Sequence, residues 1–175
     1  SFGLTPFVSC PAFEGYVIED GASLQRTEDG TLLAGGGKVL VSLPQDFKGT
    51  SYTVPDGVEA ISDYLFYKKT TITSVTLPAS LKKIGTAAFQ GCTKLTSITL
   101  PDGFTTLGEH AFDGCSALKT VAFGQSLTSV PAYAFSNCSA LTAVDLPATV
   151  ETVGDYAFRG CAKATALSLK EGLTS

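Results

Sequence analysis

Leu95-Thr-Ser-Ile98-Thr-Leu100-Pro101-Asp-Gly-Phe104-Thr-Thr-Leu107-Gly108-Glu-His-Ala111-Phe112-Asp-Gly114-Cys115 is one copy of a unit that fills most of this chain, and the next copy begins at Leu118. Aligned on its aromatic residue, Phe66, Phe89, Phe112, Phe135 and Phe158 fall 23 residues apart without a slip. Cys92, Cys115, Cys138 and Cys161 keep the same step. So do Pro55, Pro78 and Pro101, with Pro147 returning after Gly124 takes one turn. A constant period of this size marks a chain built by stacking one small unit on itself.

Within the unit, Leu95, Ile98 and Leu100 follow an L-x-x-L-x-L pattern. The alternation of Ile98 and Leu100 with Ser97 and Thr99 predicts a half-buried strand. Equivalent strands are predicted at Ser74–Leu77, Thr120–Phe123, Ala143–Leu146 and Ala166–Leu169. Proline or glycine turns the chain after each of them except the last, where Lys170 stands. A second extended run follows, as in Leu81-Lys82-Lys83-Ile84 or Val150-Glu151-Thr152-Val153, with buried ends and a polar middle. Stretches such as Glu109-His110-Ala111-Phe112 and Asp155-Tyr156-Ala157-Phe158 then predict a single helical turn, because an acidic residue suits a helix N-terminus. Gly91, Gly114 and Gly160, or Asn137, supply the left-handed exit.

One copy cannot bury its Leu and Phe residues alone. Stacking copies about 4.8 Å apart joins the strands into a parallel sheet and the phenylalanines into a spine. About five copies are visible from Pro55 onward. The first is degenerate, with Lys69 in the cysteine slot and Tyr67-Lys68 in the exit. Lys170-Glu171-Gly172-Leu173-Thr174-Ser175 begins another copy, so the natural protein is expected to continue, since an uncapped solenoid end invites aggregation. Residues 1–50 lack the period. Asp29-Gly30 and Gly35-Gly36-Gly37 are turn signals flanked by Leu32-Leu33 and Val39-Leu40-Val41. They predict a β-rich cap with core members Leu32, Leu33, Val39, Val41 and Leu43.

Composition bounds the function. The net charge is −4 and the pI near 4.9, which disfavours nucleic acid and anionic membrane as partners. No apolar run approaches the roughly 20 residues that span a bilayer. The chain contains no methionine, so it reads as an excised or processed piece whose signal peptide precedes Ser1. Phe7-Val8-Ser9-Cys10 is a poor lipoprotein cleavage site, lacking a basic region before it. Five cysteines, four of them in the repeat, are not the framework of a disulfide-stapled domain.

The unit L-x-x-I-x-L-P-x-x-(V/L/F)-x-x-(I/L/V)-G-x-x-A-F-x-G-C resembles the BspA-like, or Treponema pallidum-type, leucine-rich repeat. The match is carried by Leu95, Ile98, Leu100, Pro101, Leu107, Gly108, Ala111, Phe112, Gly114, Cys115 and their counterparts. Thr27-Glu28-Asp29-Gly30-Thr31-Leu32-Leu33 and Lys38-Val39-Leu40-Val41-Ser42-Leu43-Pro44 look like the hairpin insertion found between such repeats. The resemblance covers about residues 20–175. It implies an α/β right-handed leucine-rich-repeat solenoid of 23-residue repeats over residues 51–175, with a parallel β-sheet and short helical turns, after a β-rich N-terminal cap at 1–50. It also implies a secreted or surface-attached bacterial protein, of a family that includes adhesins for host matrix and plasma proteins.

The residues offer little chemistry. Stacked cysteines put their Cβ atoms about 5 Å apart, wider than a bridge prefers, and a ladder does not converge as zinc ligands must. Buried free thiols are therefore expected, with Cys10 unassigned. His110 is the only histidine; no paired serine or cysteine nucleophile with an acidic orienter is indicated around it, and a solvent-exposed histidine is expected. Asp102, Asp113, Asp145 and Asp155 fall in different slots and form no calcium pattern. Asn137-Cys138-Ser139 is formally a glycosylation sequon, but its cysteine occupies a core slot. No catalytic residue, cofactor or metal ligand is assigned.

Two outward surfaces remain. Ser74, Thr76, Ser97, Thr99, Thr120, Ala122, Ala143, Asp145, Ala166 and Ser168 face solvent on the sheet and lack the Trp, Tyr and Arg of binding hot spots. Tyr64, His110, Tyr133 and Tyr156 share one outward slot and form an aromatic stripe suited to protein or glycan contacts, or to covering the Phe spine. The chain therefore reads as a non-enzymatic, monomeric interaction module for host or microbial surface proteins or glycans. The alternative is a structural spacer that holds another domain away from the cell surface.

Overall fold

The computed structural model describes residues 24–168. The Cys10 and lipoprotein-type readings, Leu169 and the copy beginning at Lys170 lie outside the described residues. The first elements form an antiparallel hairpin. Strand β1 (Gln25–Arg26) pairs with β2 (Leu32–Ala34), which turns through three glycines of positive φ into β3 (Val39–Ser42). Leu32, Leu33 and Leu43 are buried, but Val39 and Val41 are only half-buried and Leu40 is the fully buried residue of β3. The register shifts at Leu32/Leu33, so that Leu33 faces Leu40. Such a bulge changes which side chains point inward, and simple alternation does not register it.

From residue 51 two kinds of strand alternate: β4 (Ser51–Thr53), β5 (Ala60–Ile61), β6 (Ser74–Thr76), β7 (Lys83–Ile84), β8 (Ser97–Thr99), β9 (Thr106–Leu107), β10 (Thr120–Ala122), β11 (Ser129–Val130), β12 (Ala143–Asp145), β13 (Thr152–Val153) and β14 (Ala166–Ser168). The three-residue strands stack in parallel along one side, bonded as β4–β6, β8–β10 and β12–β14, with β6 beside β8 and β10 beside β12. The two-residue strands stack along a second side as β3–β5–β7–β9 and β11–β13, with β9 beside β11. The last hairpin strand is thus the first rung of the second side, where the Ser62 hydroxyl donates to the Leu40 carbonyl at 2.9 Å.

In β4, β6, β8, β10 and β12 the middle residue is the least exposed of the three, although Val121 of β10 is only half-buried. Val75, Ile98 and Val144 are buried while Ser74, Thr76, Ser97, Thr99, Ala143 and Asp145 are exposed. Phe66, Phe89, Phe112, Phe135 and Phe158 stack face to face with centroids 4.7–5.4 Å apart and planes within 7° of parallel. Tyr52 meets Phe66 edge-on at 5.6 Å and closes the spine toward the hairpin. A buried phenol needs a partner for its hydroxyl, and the Thr31 hydroxyl lies 3.0 Å away. Beside the spine the thiols are free, and Cys92, Cys115, Cys138 and Cys161 donate to the carbonyls of Phe66, Phe89, Phe112 and Phe135 at 3.0–3.3 Å.

The expected short helical turns do not form, and no helix occurs among the described residues. The segment 108–115 shows why. The N–H groups of His110, Phe112 and Gly114 donate to Ala132, Ala134 and Ser136 of the next coil at 2.8–3.2 Å. Those of Ala111, Asp113 and Cys115 donate three residues back, to Gly108, His110 and Phe112. Alternate amides therefore serve the stack and the local turn, leaving none for an i→i−4 ladder. The backbone supports this by entering the left-handed region twice per coil, at His110 (φ 55°) and at Gly114 (φ 72°). The predicted left-handed exit is present at Gly91, Gly114, Asn137 and Gly160, and at Lys68 in the first copy. Gly108 has a different reason to be glycine: a Cβ there would lie 2.4 Å from the Gly85 carbonyl carbon of the coil below.

Candidate functional site

The first left-handed position of each turn falls on Tyr64, Ala87, His110, Tyr133 and Tyr156, with φ between 51° and 58° and no glycine among them. That is the same slot from which the outward aromatic stripe is read in the sequence. For an L-residue this conformation costs roughly 1–2 kcal/mol. It is held by the hydrogen bonds of the turn, whose amide at this slot donates to the coil above at 2.9–3.2 Å for Tyr64, Ala87, His110 and Tyr133. In this slot Tyr64 and Tyr156 are exposed, His110 and Tyr133 half-buried and Ala87 buried, while the residue two positions on carries its ring into the spine.

The stripe is not uniform. His110, Tyr133 and Tyr156 form a continuous stack, with centroids 4.7 Å apart for the first pair and 5.1 Å for the second. Tyr156, at its end, is 56% exposed and has the Arg159 guanidinium 5.5 Å from its ring centroid. Tyr64 stands apart from these three. Ala87, 2% exposed, fills the slot between it and His110, and Tyr64 instead packs edge-on against Tyr67 at 5.8 Å. In the stacked part ring faces are turned toward one another, so the outward surface is a row of ring edges carrying two phenol groups and one imidazole.

His110 is anchored as well as stacked. Its Nδ1 lies 3.2 Å from Asp113 Oδ2. The same carboxylate accepts from Gln90 Nε2 at 2.8 Å and from Asn137 Nδ2 at 3.0 Å, tying three coils together. Burial alone would raise the Asp113 carboxyl, but the hydrogen bonds from Gln90, Asn137 and His110 outweigh it and hold it below the usual range. In the sequence Asp113 is one of several carboxylates that fall in different slots. The available signal was its neighbours at one period, Gln90 below and the Ser136-Asn137 pair above, all able to hydrogen-bond it.

The other surfaces offer less. On the three-residue-strand side an open depression of about 520 Å³ lies over β6 and β8, lined by Ser74, Thr76, Ser97, Thr99, Ala79 and Pro101 among others. It holds no aromatic or charged side chain. Burial pushes the thiols up, Cys92 to about 12 and Cys115 well above its ordinary value, so they are poor nucleophiles at neutral pH. Among the described residues no three His, Cys, Asp or Glu side chains converge as a metal site would require, and no helix is long and apolar enough to cross a membrane.

A family model of the BspA type leucine rich repeat region matches residues 46–175, in six copies. No curated protein matches the sequence. Among solved structures, a leucine-rich repeat protein from Eubacterium ventriosum is similar at 28% identity and a TM-score of 0.76, over 84% of this chain and 40% of that one. The T. pallidum leucine rich repeat protein is similar at 30% identity and a TM-score of 0.72, over 89% of this chain and 72% of that one. A leucine rich cell surface protein from Faecalibacterium prausnitzii shares the fold at 24% identity and a TM-score of 0.56, over 92% of this chain and 35% of that one. The chain therefore spans well under half the length of the first and third of these proteins.

Proposed function

The chain belongs to the BspA-type leucine-rich repeat family, and on that premise we propose that it is a non-enzymatic interaction module, secreted or at the cell surface, that binds host or microbial proteins or glycans along its aromatic edge. The observation that carries this reading is the His110–Tyr133–Tyr156 stack on left-handed backbone. Spine residues earn their place by burial, whereas Tyr156 is 56% exposed and sits on a backbone that glycine would occupy with less strain. Strained residues that present side chains outward are characteristic of binding surfaces. Tyrosine in such a place supplies large contact area at low entropic cost. The surface location is supported by the family and by the similar fold of the F. prausnitzii protein, a leucine rich cell surface protein.

The test is a binding screen of the whole chain against matrix proteins and mucin glycans, with Tyr133→Ala/Tyr156→Ala beside it. Saturable binding that the double variant loses, at an unchanged melting point, is the expected result. Absence of saturable binding to every member of the panel removes support from the adhesin-like reading.

The spacer reading rests on a different observation. The exposed positions of β4, β6, β8, β10 and β12 are Ser, Thr, Ala and one Asp, with no residue of the kind that anchors an interface. The rest of the gene discriminates: an appended carbohydrate-binding, protease or anchoring domain favours the spacer.

A further inference from the structure

The acidic net charge conceals a local reversal. Between Tyr64 and Pro101 the chain carries Lys68, Lys69, Lys82, Lys83 and Lys94 and no carboxylate. Lys82 is spoken for, since it pairs with Glu59 at 3.0 Å, as Lys38 does at 2.9 Å. Lys68, Lys69 and Lys94 stand at one corner, where the chain leaves the turn for the three-residue strands. Lys48 joins them from the coil below. The Thr71 hydroxyl donates to the carbonyl of Gly49, the neighbour of Lys48, at 3.2 Å, and the slot of Thr71 is filled one coil higher by Lys94. Two coil steps of about 4.8 Å therefore separate Lys48 from Lys94. That slightly exceeds one Debye length at physiological salt, about 8 Å, so the lysines repel one another little while lying within the span of a single polyanion. The carboxylates near this corner are Asp46, in the slot below Lys69, and Asp113, two coil steps above Tyr67 and already bonded to Gln90, Asn137 and His110. Four lysines against these two leave an excess of positive charge.

Two aromatic rings adjoin this corner. Tyr64, 39% exposed, meets Tyr67 edge-on at 81°, so the pair is not closed into a face-to-face stack as Tyr133 and Tyr156 are. Lys68 lies with its ammonium 5.0 Å from the Tyr67 ring centroid. Its stem runs over Gly91, where a Cβ would come within 3.1 Å of Lys68 Cγ. The glycine of the next coil thereby makes room for the lysine of the degenerate copy.

We propose that this corner, formed by Lys48, Lys68, Lys69, Lys94, Tyr64 and Tyr67, binds an anionic polysaccharide bearing sulfate or carboxylate groups. The surface deepens the interaction-module reading but is separate from the His110–Tyr133–Tyr156 stack. Charge complementarity selects an anion, and the residue types select among anions. Acidic peptide and phosphate motifs are read by the planar fork of arginine, and this corner has none. Lysines act as point charges on flexible stems, which suits anions spaced along a polymer. The tyrosine rings suit the apolar C–H faces of sugars between those anions.

The test is titration of the whole chain with heparin, polyglutamate and neutral dextran. Heparin binds saturably and at least tenfold more tightly than polyglutamate, dextran does not bind, and raising salt from about 50 mM to about 500 mM abolishes the heparin complex. Lys68→Gln/Lys69→Gln/Lys94→Gln weakens heparin binding at least tenfold. Lys38→Gln/Lys82→Gln/Lys83→Gln, with the same change in net charge on another side, stays within twofold. Lys94→Gln alone, an exposed change, gives a smaller loss and needs no rearrangement of the turn. Absence of heparin binding overturns the proposal, as does equal loss in the two triple variants or polyglutamate binding as tight as heparin. Tyr133→Ala/Tyr156→Ala leaves heparin binding intact, so failure of the aromatic-edge reading and failure of this one are separately visible.

Discussion

Two columns of rings run the length of this solenoid, two residues apart in every turn, and they obey different rules. Phe66, Phe89, Phe112 and Phe135 are fully buried and stacked at about 5 Å, and the column admits no other residue type. Tyr64, Ala87, His110, Tyr133 and Tyr156 occupy a left-handed backbone position on the outside, stack only in part, and change identity from coil to coil. The first column is constrained by volume, because a ring missing from a close-packed interior leaves a cavity. The second is constrained by backbone geometry, to which its side chains contribute little. Regularity in this molecule therefore marks what the fold requires, and variation marks the positions it leaves open.

The comparison is broken most directly by Phe112→Ala. The ring is fully buried between Phe89 and Phe135, so its loss is expected to cost about 3–5 kcal/mol. Because coils support one another only through neighbours, this is enough to uncouple the two halves, visible as a broadened or two-step urea transition. Tyr133→Ala, at a half-buried position two residues from the buried Phe135, changes stability by about 1 kcal/mol or less.

The thiols beside the Phe column extend the contrast to pH. Burial raises Cys92 from 9.0 to about 12. Above pH 9 the unfolded chain has released this proton and the native chain has not. Stability is thus fully present below about pH 9 and falls as pH rises toward about 12. Cys92→Ala is expected to flatten this part of the urea-midpoint profile. An unchanged slope would show that the thiol is solvated in the native state.

The period, the strands, the spine and the thiol column were legible in the sequence because each rests on burial repeated at one spacing. The turn was not. Glu109-His110-Ala111-Phe112 looks like the start of a helix, and what forbids one is a set of hydrogen bonds from His110, Phe112 and Gly114 to residues 132–136, a full coil away. The left-handed column was hidden for a related reason, since Tyr, His and Ala stand where glycine would announce it. Leu40 took the place expected of Val39 and Val41 because a bulge shifts the hairpin register. The lysine corner is not legible in the sequence because its members fall in three different slots and come together only through stacking.

Asp113 bridges the two columns and sharpens the comparison at lower cost. It sits next to Phe112 and holds His110, Gln90 and Asn137. Asp113→Ala is expected to destabilise by about 1–2 kcal/mol, the range for hydrogen bonds to a charged group that is mostly buried. Because the folded-state pKa lies below 3.8, this contribution is present above about that pH and is lost as pH falls through the folded value. Asp113→Asn should remove the acid-side dependence while keeping part of the hydrogen bonding. Urea midpoints of the three proteins across acid pH measure both effects.

The smallest effect separates the columns by sign. At Tyr133, where φ is 57°, replacing alanine by glycine relieves roughly 1–2 kcal/mol of left-handed strain and loses about 0.4–1 kcal/mol through the greater freedom of the unfolded chain. Tyr133→Gly should therefore be more stable than Tyr133→Ala by about 0.5–1 kcal/mol. At Phe135, two residues on and outside the left-handed region, only the second effect operates, and Phe135→Gly should be less stable than Phe135→Ala by about 0.4–1 kcal/mol. Four urea titrations decide the matter. Opposite signs at the two positions mean that the outer column carries left-handed strain that the inner column lacks. The same sign at both would mean that the left-handed position at Tyr133 costs an L-residue less than the freedom that glycine adds to the unfolded chain.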